Sequence, residues 1–130
     1  MKILIISKCP THPTDAGNRW WILSQAQTFM SLGHEVHFLY IDEPGLRTDP
    51  TVYLNYIGKT KKFWGEHFHL LHVGKLEKFK FNIFKKYRQK FFHSHWGIDD
   101  QYPKGLDKMV DELDGQYHFD ICVINYWYLS

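Results

Sequence analysis

Ile3 to Ile6 is an unbroken apolar run near the start of the chain. Such a run marks a strand buried on both faces, as in a parallel sheet. A loop from Lys8 to Asn18 follows, carrying Pro10, Pro13, Asp15 and Gly17. Ile22, Leu23, Ala26, Phe29 and Met30 then recur as one helical stripe. Gly33 is expected to end that helix as its C′ residue, and Glu35–Ile41 reads as a second strand. Strand, helix and strand in this order form a βαβ unit with a right-handed crossover.

Asp49-Pro50 has the form of an N-cap with proline at the first helical position. Tyr53, Tyr56, Ile57, Thr60 and Trp64 keep helical spacing, so a helix is expected over Pro50–Trp64. His67–Val73 reads as a third strand. Leu76–Phe92 carries a second stripe, of Leu76, Phe79, Ile83, Phe84, Tyr87 and Phe91. A turn-rich stretch from Gly97 leads to Pro103, which is expected to open a helix with Leu106, Met109, Val110, Leu113 and Tyr117 on one face and Gly115 fraying its end. Phe119–Asn125 is the fourth strand, with Ile121, Cys122, Val123 and Ile124 as its apolar run.

Alternating strands and helices imply an α/β fold, Rossmann-like, with a mostly parallel sheet of about four strands. The expected order is 3-2-1-4, because the crossover changes direction before the fourth strand. Residues 1–130 read as one domain. A doubly wound sheet normally continues with a covering helix, so the end at Ser130 reads as a truncation; a complete four-stranded domain is the alternative.

Hydrophobic residues make up 44% of the chain and charged residues 23%, which excludes global disorder. Cys9 and Cys122 lie beside or inside apolar runs without metal-ligand spacing. They read as buried small hydrophobes in a reducing compartment. No apolar run reaches the ~20 residues that span a bilayer, and Met1–Ser7 is too short for a signal-peptide core. A cytoplasmic location is expected, with peripheral membrane contact as an option.

Three pieces, in order, resemble the N-terminal domain of the family 4 glycosyltransferases, which have the GT-B architecture. One is the strand Lys2–Ser7 with its loop of Pro10, Pro13 and Gly17, then Arg19. Another is Gly33-His34-Glu35-Val36. The last is Phe119-Asp120-Ile121-Cys122-Val123. The resemblance covers roughly residues 1–41 and 119–130. It implies a retaining, metal-independent transferase that takes a nucleotide-sugar donor and a glycan or lipid-linked acceptor. This domain would line the acceptor side of the cleft, a second domain absent here would hold the nucleotide, and the chain alone would be inactive. No cofactor is implied.

Gly17, Asn18 and Arg19 are the candidate donor-phosphate or acceptor contacts. Gly17 permits close backbone approach, the first turn of the helix favours an anion, and Arg19 adds a charged donor. A plain βα turn is the alternative. The absence of Gly-x-Gly-x-x-Gly argues against a dinucleotide. Asn125, Tyr126 and Trp127 follow the fourth strand where many relatives carry a histidine. Asn125 offers hydrogen bonds, and the two aromatics offer stacking surfaces. The missing histidine leaves that role open, with His12 as a partial substitute.

Charge is segregated. Residues 59–92 contain ten Lys or Arg and two acids, whereas the whole chain carries only +2. A basic amphipathic helix can lie on anionic lipid, which makes Lys85, Lys86 and Lys90 candidate membrane contacts. Packing on the sheet, with lysines in water, is the alternative and the favoured one. No motif points to nucleic acid. No metal site is expected: His67 and His69 share one strand face and His93 and His95 form a close pair, but no third ligand is evident. The rival function is a non-catalytic α/β module that docks on a membrane surface or a protein.

Overall fold

The computed structural model describes residues 1–42, 49–74, 103 and 105–125. The elements are β1 (Lys2–Ser7), α1 (Gly17–Ser31), β2 (Glu35–Asp42), α2 (Pro50–Trp64), β3 (Phe68–His72), α3 (Leu106–Tyr117) and β4 (Ile121–Asn125). The four strands form one sheet in the order β3-β2-β1-β4, and every pairing is parallel. This is the Rossmann-like α/β arrangement that the alternating pattern implies.

Helices cover both faces of the sheet. Ile3, Ile5, Val36, Phe38 and Tyr40 pack against Ile22 and Ala26 of α1 and Trp64 of α2. Leu4, Ile6, Leu39 and Ile41 pack against Leu106 and Leu113 of α3. Neighbouring residues of β1 therefore enter different cores, which is why its sequence is continuously apolar. Burying each such side chain stabilises the fold by roughly 1.5–3 kcal/mol.

Local signals set most of the element ends. The Asp49 carboxylate accepts from the N–H groups of Thr51 and Val52 at 2.8 and 3.3 Å, with Pro50 in the first turn. α1 ends in a Schellman motif: the N–H of Gly33 donates to the Met30 carbonyl and that of His34 to the Phe29 carbonyl. Gly33 holds φ +82°, a region that other residues enter at a cost.

Asp120 docks β4 onto β1. Its carboxylate accepts from the Lys2 N–H at 2.7 Å, and its own N–H donates to the Lys2 carbonyl at 2.9 Å. The aspartate that leads β4 thus has a structural task.

Several expectations need correction. His67 belongs to a short 3₁₀ turn, Gly65–His67, ahead of β3. α3 begins at Leu106, not Pro103, because Gly105 at φ +86° turns the chain into the helix. Gly115 does not fray α3, which runs on to Tyr117 and stops at His118, φ +56°. The apolar run of β4 is not buried: Ile121 and Ile124 are 41% and 57% exposed, and Cys122 is exposed too. Among the described strands only β1 flanks β4, so it is an edge strand. The expected helix over Leu76–Phe92 and the turn-rich stretch from Gly97 lie outside the described residues.

Gly33→Ala tests the Schellman turn. A Cβ there meets nothing within 4 Å, so only the backbone conformation opposes it. Urea unfolding should show a loss of about 1–2 kcal/mol, with an unchanged denaturant slope.

Candidate functional site at the carboxyl edge of the sheet

In doubly wound sheets, ligands bind outside the carboxyl ends of the strands where the strand order reverses. Here that point lies between β1 and β4, whose last residues, Ser7 and Asn125, are register partners. The loop from β1 into α1 rises from this point.

That loop is held by buried and part-buried hydrogen bonds. Thr11 is fully buried, and Trp64 Nε1–H donates to its hydroxyl at 2.9 Å. The Thr11 hydroxyl lies 3.0 Å from Nδ1 of the His12 ring, a contact that either tautomer of a neutral ring satisfies. Burial, then the charge of Lys59, pushes the His12 pKa down and favours that neutral ring. The His12 N–H donates to Thr60 Oγ1 at 3.2 Å, and the His12 ring packs 4.9 Å from that of Phe63. The His12–Pro13 peptide is cis. Helix α2 thus fixes the shape of a loop almost fifty residues before it in the chain.

The start of α1 is arranged differently. Its N-cap is Ala16, which has no capping side chain. Asn18 donates to Cys9 Sγ at 3.2 Å and accepts from the Arg19 N–H at 2.9 Å. Burial raises the Cys9 pKa and keeps it a thiol, the inert form. A Cβ built on Gly17 meets nothing within 4 Å, so the ground beside the first turn is open.

Arg19 is already engaged. It pairs with Asp15 at 2.6 Å, and its guanidinium sits 4.2 Å over the Tyr56 ring. Asp15 is 59% exposed, so this pair is weak enough to exchange for another anion. Asn125 donates to Gln25 of α1 at 2.8 Å. Both its segment and Gly17–Arg19 therefore meet α1, about two turns apart. Tyr126, Trp127, Lys85, Lys86 and Lys90 lie outside the described residues.

Other groups on this edge escaped the sequence reading. Lys8, directly after β1, is only 6% exposed. Asp42, at the end of β2, is fully buried and accepts from the Tyr53 hydroxyl at 3.1 Å and from His72 Nδ1 at 2.8 Å. Polar residues that close an apolar strand run are the signal that pointed to them.

A second polar cluster occupies the opposite, amino-terminal edge, on the face that carries α3. His37 is fully buried. Its Nε2 lies 2.9 Å from Glu35 Oε1 and its Nδ1 lies 3.0 Å from His69 Nε2. The His67 ring stacks on it at 4.2 Å, and Tyr117 and Phe119 close around it. Burial lowers the His37 pKa against the opposing effect of Glu35. Burial, then His37 and His67, lowers that of His69 to about 4. The hydrogen bond from His37 keeps the Glu35 carboxyl below its usual range. Glu35 and His37 are the partners that spacing around His67 and His69 did not reveal. Their alternation along β2 was the available signal.

No protein-family model, curated protein or solved structure matches this chain. Among the described residues, no helix is long and apolar enough to cross a membrane.

Thr11→Val tests the loop anchor. It keeps the shape but strips the acceptor from a buried indole N–H, at a cost of about 1–3 kcal/mol. Thermal unfolding should report that loss, and hydrogen exchange in residues 10–14 should accelerate.

Proposed function

We propose that this domain is the acceptor-side half of a glycosyl-transfer cleft that works on a nucleotide-activated sugar. The observation that carries the reading is the reversal of strand order between β1 and β4. The glycine-bearing loop and the end of β4 both lie at the carboxyl edge of the sheet, the edge where α/β sheets take ligands. The resemblance of the flanking segments to family 4 glycosyltransferases supports the same reading and gives it its chemistry.

In this reading, the first turn of α1 meets an oxygen-rich ligand. Its N-cap, Ala16, supplies no capping side chain, Asn18 takes only the Arg19 N–H, and the positive end of the helix dipole favours phosphate or sugar oxygens. Gly17 leaves room for that approach. Arg19 exchanges Asp15 for the ligand while Tyr56 keeps its guanidinium in place. His12 offers its Nε2 as a hydrogen-bonding group. Asn125, positioned by Gln25, offers its carbonyl. The domain does no covalent chemistry of its own here: it orients the acceptor and excludes water.

The test is sugar transfer from a panel of uridine- and guanosine-diphosphate sugars to glycan and lipid-phosphate acceptors, by the protein expressed from its full coding sequence. Gly17→Ala should raise stability by about 0.4–1 kcal/mol, because the added Cβ meets nothing. Gly17→Val should cut turnover at least about tenfold, equivalent to ~1.4 kcal/mol of lost binding. Wild-type turnover from a folded Gly17→Val protein removes the loop from ligand approach. No transfer from any donor in the panel rejects the enzyme in favour of a non-catalytic module.

A further inference from the structure

We propose that Glu35, His37 and His67 form a site for one divalent first-row transition ion, zinc foremost. The site lies at the amino-terminal edge of the sheet. The length of β2 separates it from the carboxyl edge, roughly 20 Å for its residues, so it does not depend on the proposed glycosyl transfer.

The donor atoms are gathered already. One ligand atom from each of the three residues lies within 4.8 Å of the others. Zinc–nitrogen and zinc–oxygen bonds of about 2.0–2.2 Å set tetrahedral ligand atoms roughly 3.3 Å apart. The 2.9 Å contact between His37 and Glu35 opens by a few tenths of an ångström. The widest gap closes by a turn of the His67 ring, which now stacks on His37. Neither Glu35 nor His67 is buried, so both are free to adjust.

The surroundings suit a metal as well as the donors do. His37 cannot move: it is fully buried, between Tyr117 and Phe119. Its second nitrogen already meets His69 Nε2 at 3.0 Å. A bound imidazole is typically oriented by such a contact on its other nitrogen. The half-exposed side, at Glu35 and His67, gives the ion a way in and leaves a fourth position for water. Two imidazoles and one carboxylate favour zinc and its neighbours, and disfavour magnesium and calcium, which take oxygen ligands. A bound ion would tie the start of β2 to the turn that precedes β3.

The experiment is a zinc titration of the full chain at neutral pH, in competition with a chromophoric chelator, with magnesium and calcium as controls. One zinc ion per chain is expected, with no competition from magnesium. Glu35→Gln and His67→Ala should each weaken binding by more than ~100-fold, and His69→Gln by about 10–100-fold. Both ligand variants change half-exposed residues, and circular dichroism checks their fold. His93→Ala with His95→Ala should leave binding unchanged. Cobalt supplies a readout that needs no variant: it should shift the ring protons of His37 and His67. No zinc uptake by the wild-type chain overturns the proposal. So does uptake undiminished in Glu35→Gln and His67→Ala, or cobalt shifts confined to other histidines.

Discussion

Ile3, Leu4, Ile5 and Ile6 send alternate side chains into two separate hydrophobic cores. A strand placed so must have its backbone groups paired on both sides, because no water reaches them. β2 and β4 supply those partners. Helices must then cover each face, α1 and α2 on one and α3 on the other. The crossovers that carry them there force parallel pairing. Sheet order, helix layers and the position of the strand-order reversal all follow from sheltering these four residues.

The same constraint sends polar groups to the two ends of the strands. A parallel sheet with both faces covered offers little other room for them. At the carboxyl end, the described loop leaves β1 at Lys8 and is tied to α2 through Thr11 and His12. At the amino end, loops return and are packed more closely, as His37 is by Tyr117 and Phe119. The packed edge suits a fixed ligand set around a buried imidazole.

The fold was legible wherever its cause is local. β1 and α2 start and stop where the pattern predicts, because a continuous apolar run, Asp49-Pro50 and the helical spacing act within a few residues. Gly33 was legible for the same reason. The start of α3 was misread because Pro103 and Gly105 are both plausible punctuation, and the left-handed turn at Gly105 decided it. The exposure of β4 was not legible at all. Ile121 and Ile124 are as apolar as Ile3 and Ile5, and only the count of neighbouring strands tells them apart. The loop expected to run to Asn18 ends at Ala16, and Gly17–Arg19 form the first turn of α1. The engagement of Arg19 was not legible, because Asp15 lies in the loop before the Ala16 N-cap and no helical spacing links the two. The link between β2 and the histidines before and within β3 needs the strand register, which no single segment encodes.

That register has a physical basis in polar pairs at opposite ends of the β2–β3 seam. Between them the seam is mainly apolar, and apolar contacts alone tolerate slippage. Asp42 and His72 are direct register partners at the carboxyl end, on the face that carries α2. His37 and His69 meet diagonally at the amino end, on the face that carries α3. A slip of one residue turns every side chain to the other face. His69 would then enter the core of Phe38 and Trp64, and buried Asp42 would lose His72. Asp42 keeps the Tyr53 hydroxyl in that register, and losing one hydrogen bond to a buried group costs about 1–3 kcal/mol. The two pairs on opposite faces therefore lock the same alignment from both ends. Because they stand at the sheet edges, groups that fix the fold also bring polar chemistry within reach of solvent.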